Sequence, residues 1–187
     1  MPTGKLRCAL AALISLGGNA FAQAPAGRGP AMAPCSDVLC DVQKDWARNN
    51  GMFAITAQAM PKDKYGFKPT PAQQTFRQRV LHVASVNVDL LKTLGGKTSA
   101  PIINMNAAAK ADVLRELQKS GDYGAALLKE FSQAQLAERV PSPPFMGPTS
   151  SRQQIFYFLM THTQDTYGQL VVYLRLNGVT PPFSAQP

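Results

Sequence analysis

The chain of 187 residues holds only two histidines, His82 and His162, and both fall in stretches with helical periodicity. His162 lies seven positions after Ile155, so it continues an apolar stripe rather than facing water. Thr166 and Gln169 follow at i+4 and i+7 on the same side, with Asp165 close by at i+3. His82 sits at the edge of another apolar face, one turn before Val86, with Asn87 and Asp89 further along. If these two helices pack together, the polar side chains converge inside the core, and bundle interiors are where metal and cofactor sites are built. A zinc or nickel site takes three or four protein ligands, of which the two histidines supply two. The plainer alternative is a pair of buried histidines hydrogen-bonded to a carbonyl or a hydroxyl.

Other residues offer less. Trp46, Tyr65 and Phe67 could line a ligand pocket, but aromatics at helix ends more often belong to the core. Lys68 and Arg175 could meet an anion, or stand as solvated surface charge and a partner for a helix C-terminus. Cys35 as a catalytic thiol would need a depressed pKa, and nothing beside it supplies one beyond the start of a helix. There is no nucleophile elbow, phosphate-binding loop or Gly-rich dinucleotide turn, so no catalytic residue can be named from motifs.

The elements that must position the histidines are helices. The first is predicted from a Ser36 N-cap to Met60, with Val38, Leu39, Val42, Trp46, Phe53 and Met60 as its stripe and Pro61 as its stop. Residues 61–71 hold three prolines and a glycine and read as a loop. The second helix is predicted over Thr75–Leu94, apolar on most sides and ended by Gly95 and Gly96. The third spans about Asn106–Phe131, with Gly121 and Gly124 as candidate kink points. A short turn follows over Gln133–Ala137, then a Pro-rich loop over 141–148. The fourth runs from a Thr149 or Ser150 cap to Asn177, with Gly178 at the C′ position. No segment alternates as a strand does. Four such helices predict an all-α, antiparallel four-helix bundle with no internal repeat.

The first 22 residues read as a secretory signal peptide: Lys5 and Arg7, an apolar run from Cys8 to Leu16, then Ala20, Phe21 and Ala22 as an A-x-A cleavage site. The run is shorter than the roughly 20 residues of a membrane span, so no stable membrane anchor is expected after cleavage. Residues 23–34, rich in Ala, Gly and Pro, read as a flexible linker, leaving 35–187 as one domain in an exported protein, periplasmic or extracellular. The remaining cysteines, Cys35 and Cys40, would then form a disulfide or persist as two free thiols. Without Lys5 and Arg7, 17 basic residues (19 less those two) face 11 acidic ones. The basic residues form no stripe with interleaved aromatics, so nucleic acid is not an expected partner.

Several blocks together resemble the DinB-like family: Ala59, Met60 and Pro61; Tyr65, Phe67, Pro69, Thr70 and Pro71; Thr75 and Phe76; Val80 to Ala84; and the run from Tyr167 to Arg175 followed by Asn177, Gly178, Pro181 and Pro182. The resemblance covers Asp37 to Pro182 and is nearest to the exported branch of that family. It implies a four-helix bundle with a long crossover and a divalent metal, zinc or nickel, usually held by three histidines. Carried over position by position, the helix-two ligand maps to His82 and the first histidine of the last helix to His162. The third maps to Thr166, a departure, since a neutral hydroxyl is a poor ligand beside imidazole; Asp165 is the neighbour that could substitute. Characterised relatives include metal-dependent thiol transferases and isomerases, while many members have no known activity. The expectation is therefore a metal-dependent hydrolase or thiol transferase with a degenerate site at His82, His162 and Asp165, or alternatively a small-molecule-binding or structural bundle that has lost the metal. The family's name refers to DNA damage, yet an exported protein has little access to chromosomal DNA. Related bundles often dimerise, and nothing in this chain selects for or against a homodimer.

Overall fold

The computed structural model describes residues 34–184. The expected signal peptide and nearly all of the expected linker lie outside the described residues. The fold is mainly helical. Helix α1 (Val38–Ala59) is capped by Asp37 rather than Ser36: the carboxylate accepts the Cys40 N–H at 2.9 Å, and its charge suits the positive end of the helix dipole. Cys35 and Cys40 are joined as a disulfide with Cα atoms 5.4 Å apart, tying the incoming chain to the first turn. Met60 leaves the helix at ψ 129°, as a residue before proline tends to.

Helix α2 (Phe76–Leu91) starts where expected. Thr75 and Gln78 form a reciprocal capping box, with Gln78 Oε1 accepting the Thr75 N–H at 2.8 Å. The predicted helix to Leu94 tightens into a single turn over Lys92–Leu94, and Gly95 at φ +75° turns the chain out. Helix α3 (Lys110–Glu130) begins four residues later than expected. Asn104 Oδ1 accepts the Asn106 N–H at 3.0 Å, and Glu116 Oε2 accepts the Asn104 N–H at 3.0 Å; together they hold that stretch as a turn. Helix α4 (Gln133–Ala137) is the expected short turn, capped by Ser132.

The expectation of no strands was incomplete. Arg139–Pro141 (β1) and Thr149–Ser151 (β2) pair antiparallel, with Val140 opposite Ser150. Residues expected to cap the last helix are used in this ladder, and the cap moves to Ser151, whose hydroxyl accepts the Gln154 N–H at 3.1 Å. Helix α5 (Arg152–Leu176) then runs to Gly178, which sits at φ +72° as the C′ residue.

The long helices pack in pairs: α1 against α3 and α5, and α2 against the same two. Residue numbers run in opposite senses along the α2–α5 seam, where His82 meets His162 and Gln74 meets Tyr173, so these helices are antiparallel. Two apolar clusters form. One gathers Trp46, Leu91, Leu127, Phe156 and Leu159; the other gathers Phe53, Phe76, Val80, Leu117, Leu170 and Tyr173.

Helix α3 is unbroken across Gly121 and Gly124, the candidate kink points, and Trp46 packs onto this stretch. The indole Nε1 donates to Gly121 O at 2.9 Å, and a Cβ on Gly124 would lie 2.2 Å from the indole Cζ2. A Cβ on Gly121 would meet Asn50 Oδ1 at 3.5 Å, an ordinary contact. Gly124→Ala is therefore expected to destabilise the fold by about 1–3 kcal/mol through overpacking. Gly121→Ala should be neutral or stabilising by up to about 1 kcal/mol through helix propensity. Urea unfolding of the two variants checks both signs.

Candidate functional site

Between the two apolar clusters each long helix carries a buried polar residue. Along α1, Asn49 separates Trp46 from Phe53; along α2, Asn87 separates Val83 from Val88; along α3, Ser120 separates Leu117 from Tyr123; along α5, Thr163 and Thr166 separate Met160 from Leu170. Asn49 ties the layer across helices by donating from Nδ2 to Met160 O at 3.2 Å. This polar layer lies between two apolar ones, and the histidines meet at its edge in the α2–α5 seam.

His82 Nε2 and His162 Nε2 are 3.2 Å apart, with ring centroids 5.1 Å apart and planes at 65°. One ring must donate and the other accept. His162 Nδ1 is buried and has no partner. Placing the proton of His162 on Nε2 leaves only a lone pair at Nδ1, which costs less than a buried, unmatched N–H. We therefore assign His162 Nε2–H as donor and His82 Nε2 as acceptor. Phe158 stacks on His162 at 6.3 Å and Phe145 packs on Phe158 at 5.2 Å, covering the pair from the side of the Pro-rich loop.

Asp165 is not gathered into this contact. It is exposed, and its Oδ2 accepts from Gln169 Nε2 at 2.9 Å. Thr166 is buried. Among the described residues no group of three or more His, Cys, Asp or Glu could hold a metal ion. The spacing of the two Nε2 atoms is itself near what two imidazoles on one tetrahedral zinc would show, since bonds of about 2.0–2.1 Å place them roughly 3.3–3.4 Å apart. The rest of the donor set is unsuitable. A ligating histidine ordinarily donates its second ring N–H to an acceptor, and His162 Nδ1 has none. Two imidazoles with a threonine at the third position do not fit a resident metal.

Other sequence candidates serve the framework. Tyr65 is buried and donates to Ala57 O at 2.8 Å; burial pushes its phenol pKa well above the usual range. Phe67 packs edge-on against Tyr173 at 6.0 Å. Lys68 donates to Pro71 O at 3.1 Å, Arg175 is exposed near the end of α5, and Asp89 pairs with Lys92 at 2.8 Å.

A family-level comparison matches residues 45–170, more than half of the chain, to the DinB superfamily. The chain belongs to the DinB superfamily. Two solved DinB-like proteins share its fold: one from Bacillus subtilis at 17% identity, TM-score 0.59, covering 79% of this chain and 99% of its own, and one from Bacillus cereus ATCC 10987 at 14% identity, TM-score 0.61, covering 75% and 93%. No curated protein matches the chain. The matched region includes both histidines and the whole polar layer. Of that layer, sequence reasoning singled out Asn87 and Thr166 but missed Asn49, Ser120 and Thr163; their only signal is a polar residue interrupting an apolar stripe.

The histidine pair makes the fold sensitive to acid. Burial depresses the pKa of His162 below its ordinary 6.5, the neighbouring His82 depresses it further, and Asp165 opposes both. The unfolded chain thus binds a proton more readily than the folded one, so stability rises with pH through this window and falls as pH drops below about 6.5. Urea midpoints should decrease from about pH 7.5 to about pH 5, and His162→Gln should flatten that dependence.

Proposed function

We propose that this is an exported, small-molecule-binding member of the DinB superfamily, built as a four-helix bundle with long crossovers, in which His82 and His162 no longer hold a metal. The observation that carries the metal-free reading is the donor set: two imidazoles with Thr166 at the third position, and no third His, Cys, Asp or Glu grouped with them among the described residues. The bundle reading rests on the pairing of α1 and α2 each with α3 and α5. Export rests on the basic start, short apolar run and A-x-A site of the first 22 residues, and the Cys35–Cys40 disulfide is in keeping with an oxidising compartment. No role toward nucleic acid is assigned.

A second reading is a metal-dependent hydrolase or thiol transferase that keeps zinc or nickel on His82 and His162, with Asp165 or an outside group completing the site. The convergence of the two Nε2 atoms is the observation in its favour.

Metal content separates the two. Protein purified without chelator or affinity-tag histidines should carry far less than one equivalent of zinc or nickel, and His82→Ala/His162→Ala should leave that content unchanged. Stoichiometric metal lost in the double variant would replace the first reading with the second.

A further inference from the structure

One cation in the α2–α5 seam has no counter-charge. Arg79, one turn before His82, has its Nε–H buried without a partner, and no carboxylate pairs with its guanidinium among the described residues. It lines a cavity of about 320 Å³ together with Pro69, Gln73, Gln169, Val172 and Tyr173. The cavity lies one turn from His82 along α2 and two turns from His162 along α5, towards the loop that carries Pro69.

The walls define what would fit. Pro69, Val172 and the ring of Tyr173 offer apolar surface; Tyr173 is bound through its hydroxyl to Gln74 O at 2.7 Å. Val172 is half exposed at 51%, and its place on the wall gives this outward apolar side chain a use. Gln169 commits one of its two amide N–H groups to Asp165. Arg79 is then the one charged residue of the lining. A guanidinium presents parallel N–H donors that match a carboxylate in a bidentate pair. One such cation balances the single charge of a carboxylate but not the double charge of a phosphate monoester. The volume is at the small end of ligand pockets.

We propose that this cavity binds a small monocarboxylate with a compact apolar or aromatic body, its carboxylate on Arg79 and its body against Pro69, Val172 and Tyr173. The proposal rests on the binding reading and sharpens it, and the two fail separately. Metal content decides the first; carboxylate recognition decides this one.

The test is titration of the purified full chain with benzoate, and with benzamide as the neutral analogue of the same shape, following the Arg Nε–H signals by NMR. Benzoate should shift one Arg Nε–H signal saturably, that signal should be missing in Arg79→Gln, and benzamide should bind at least tenfold more weakly. Arg79→Gln should lower benzoate affinity at least tenfold. Val172→Asp, at an exposed wall position compatible with folding, should lower it severalfold by charge repulsion. No saturable shift at millimolar benzoate would overturn the proposal. So would equal binding of benzamide, or benzoate affinity that survives both Arg79→Gln and Val172→Asp.

Discussion

Because buried polar groups cost free energy unless they are matched, the layer of Asn49, Asn87, Ser120, Thr163 and the histidines constrains the rest of the fold. Asn49 Oδ1 and both amide atoms of Asn87 are buried without a partner. The helices hold this layer because large apolar clusters flank it: Trp46 with Phe156, edge-on at 5.4 Å on one side, and Tyr65 with Phe76 at 5.2 Å on the other. Burying a side chain of that class contributes about 1.5–3 kcal/mol, so a few of them on each side offset the orphaned amides. The imidazole contact is where the layer reaches the seam between α2 and α5 and where its protonation state couples to packing.

That coupling follows from how few partners the pair has. In a metal centre the ion would dictate which ring nitrogens are free of protons. In the metal-free reading each imidazole takes its tautomer from the other, and both rings charged would set two N–H groups against each other at 3.2 Å. The fold itself is secured away from the histidine pair. Side-chain caps fix the starts of α1, α2, α4 and α5, the Cys35–Cys40 bridge fixes the chain ahead of α1, and Arg152 knits α5 to the loops by donating to Leu94 O and Gln135 O, both at 2.8 Å.

Much of the framework was legible because it is local. The start of α2 near Thr75 could be read from the apolar pattern, Gly178 announces a C′ turn, and Ile155 to His162 spans two turns of one stripe. Both histidines on facing helices were also legible. Asp165, three residues on at about 100° each, sits roughly 60° around the helix from His162, where it is exposed and accepts from Gln169. The polar layer escaped notice because periodicity tells which face of a helix is buried but not how high one helix stands against another. Nor could sequence reveal that Gly121 and Gly124 of α3 face Trp46, some 75 positions away. Arg79, flanked by Phe76 and Val80, reads in sequence like any solvated arginine; its missing partner is visible only once the seam is assembled.

In the metal-free reading proposed above, the two imidazoles bond directly, His162 donating and His82 accepting. The most direct measurement is the nitrogen and proton NMR spectrum of the imidazole rings, recorded without metal and again with an equivalent of zinc. The account predicts one protonated Nε2 on His162 hydrogen-bonded to an unprotonated Nε2 on His82, and the same spectrum after zinc is added. Both Nε2 signals moving together to metal-coordinated positions on addition of zinc would contradict it.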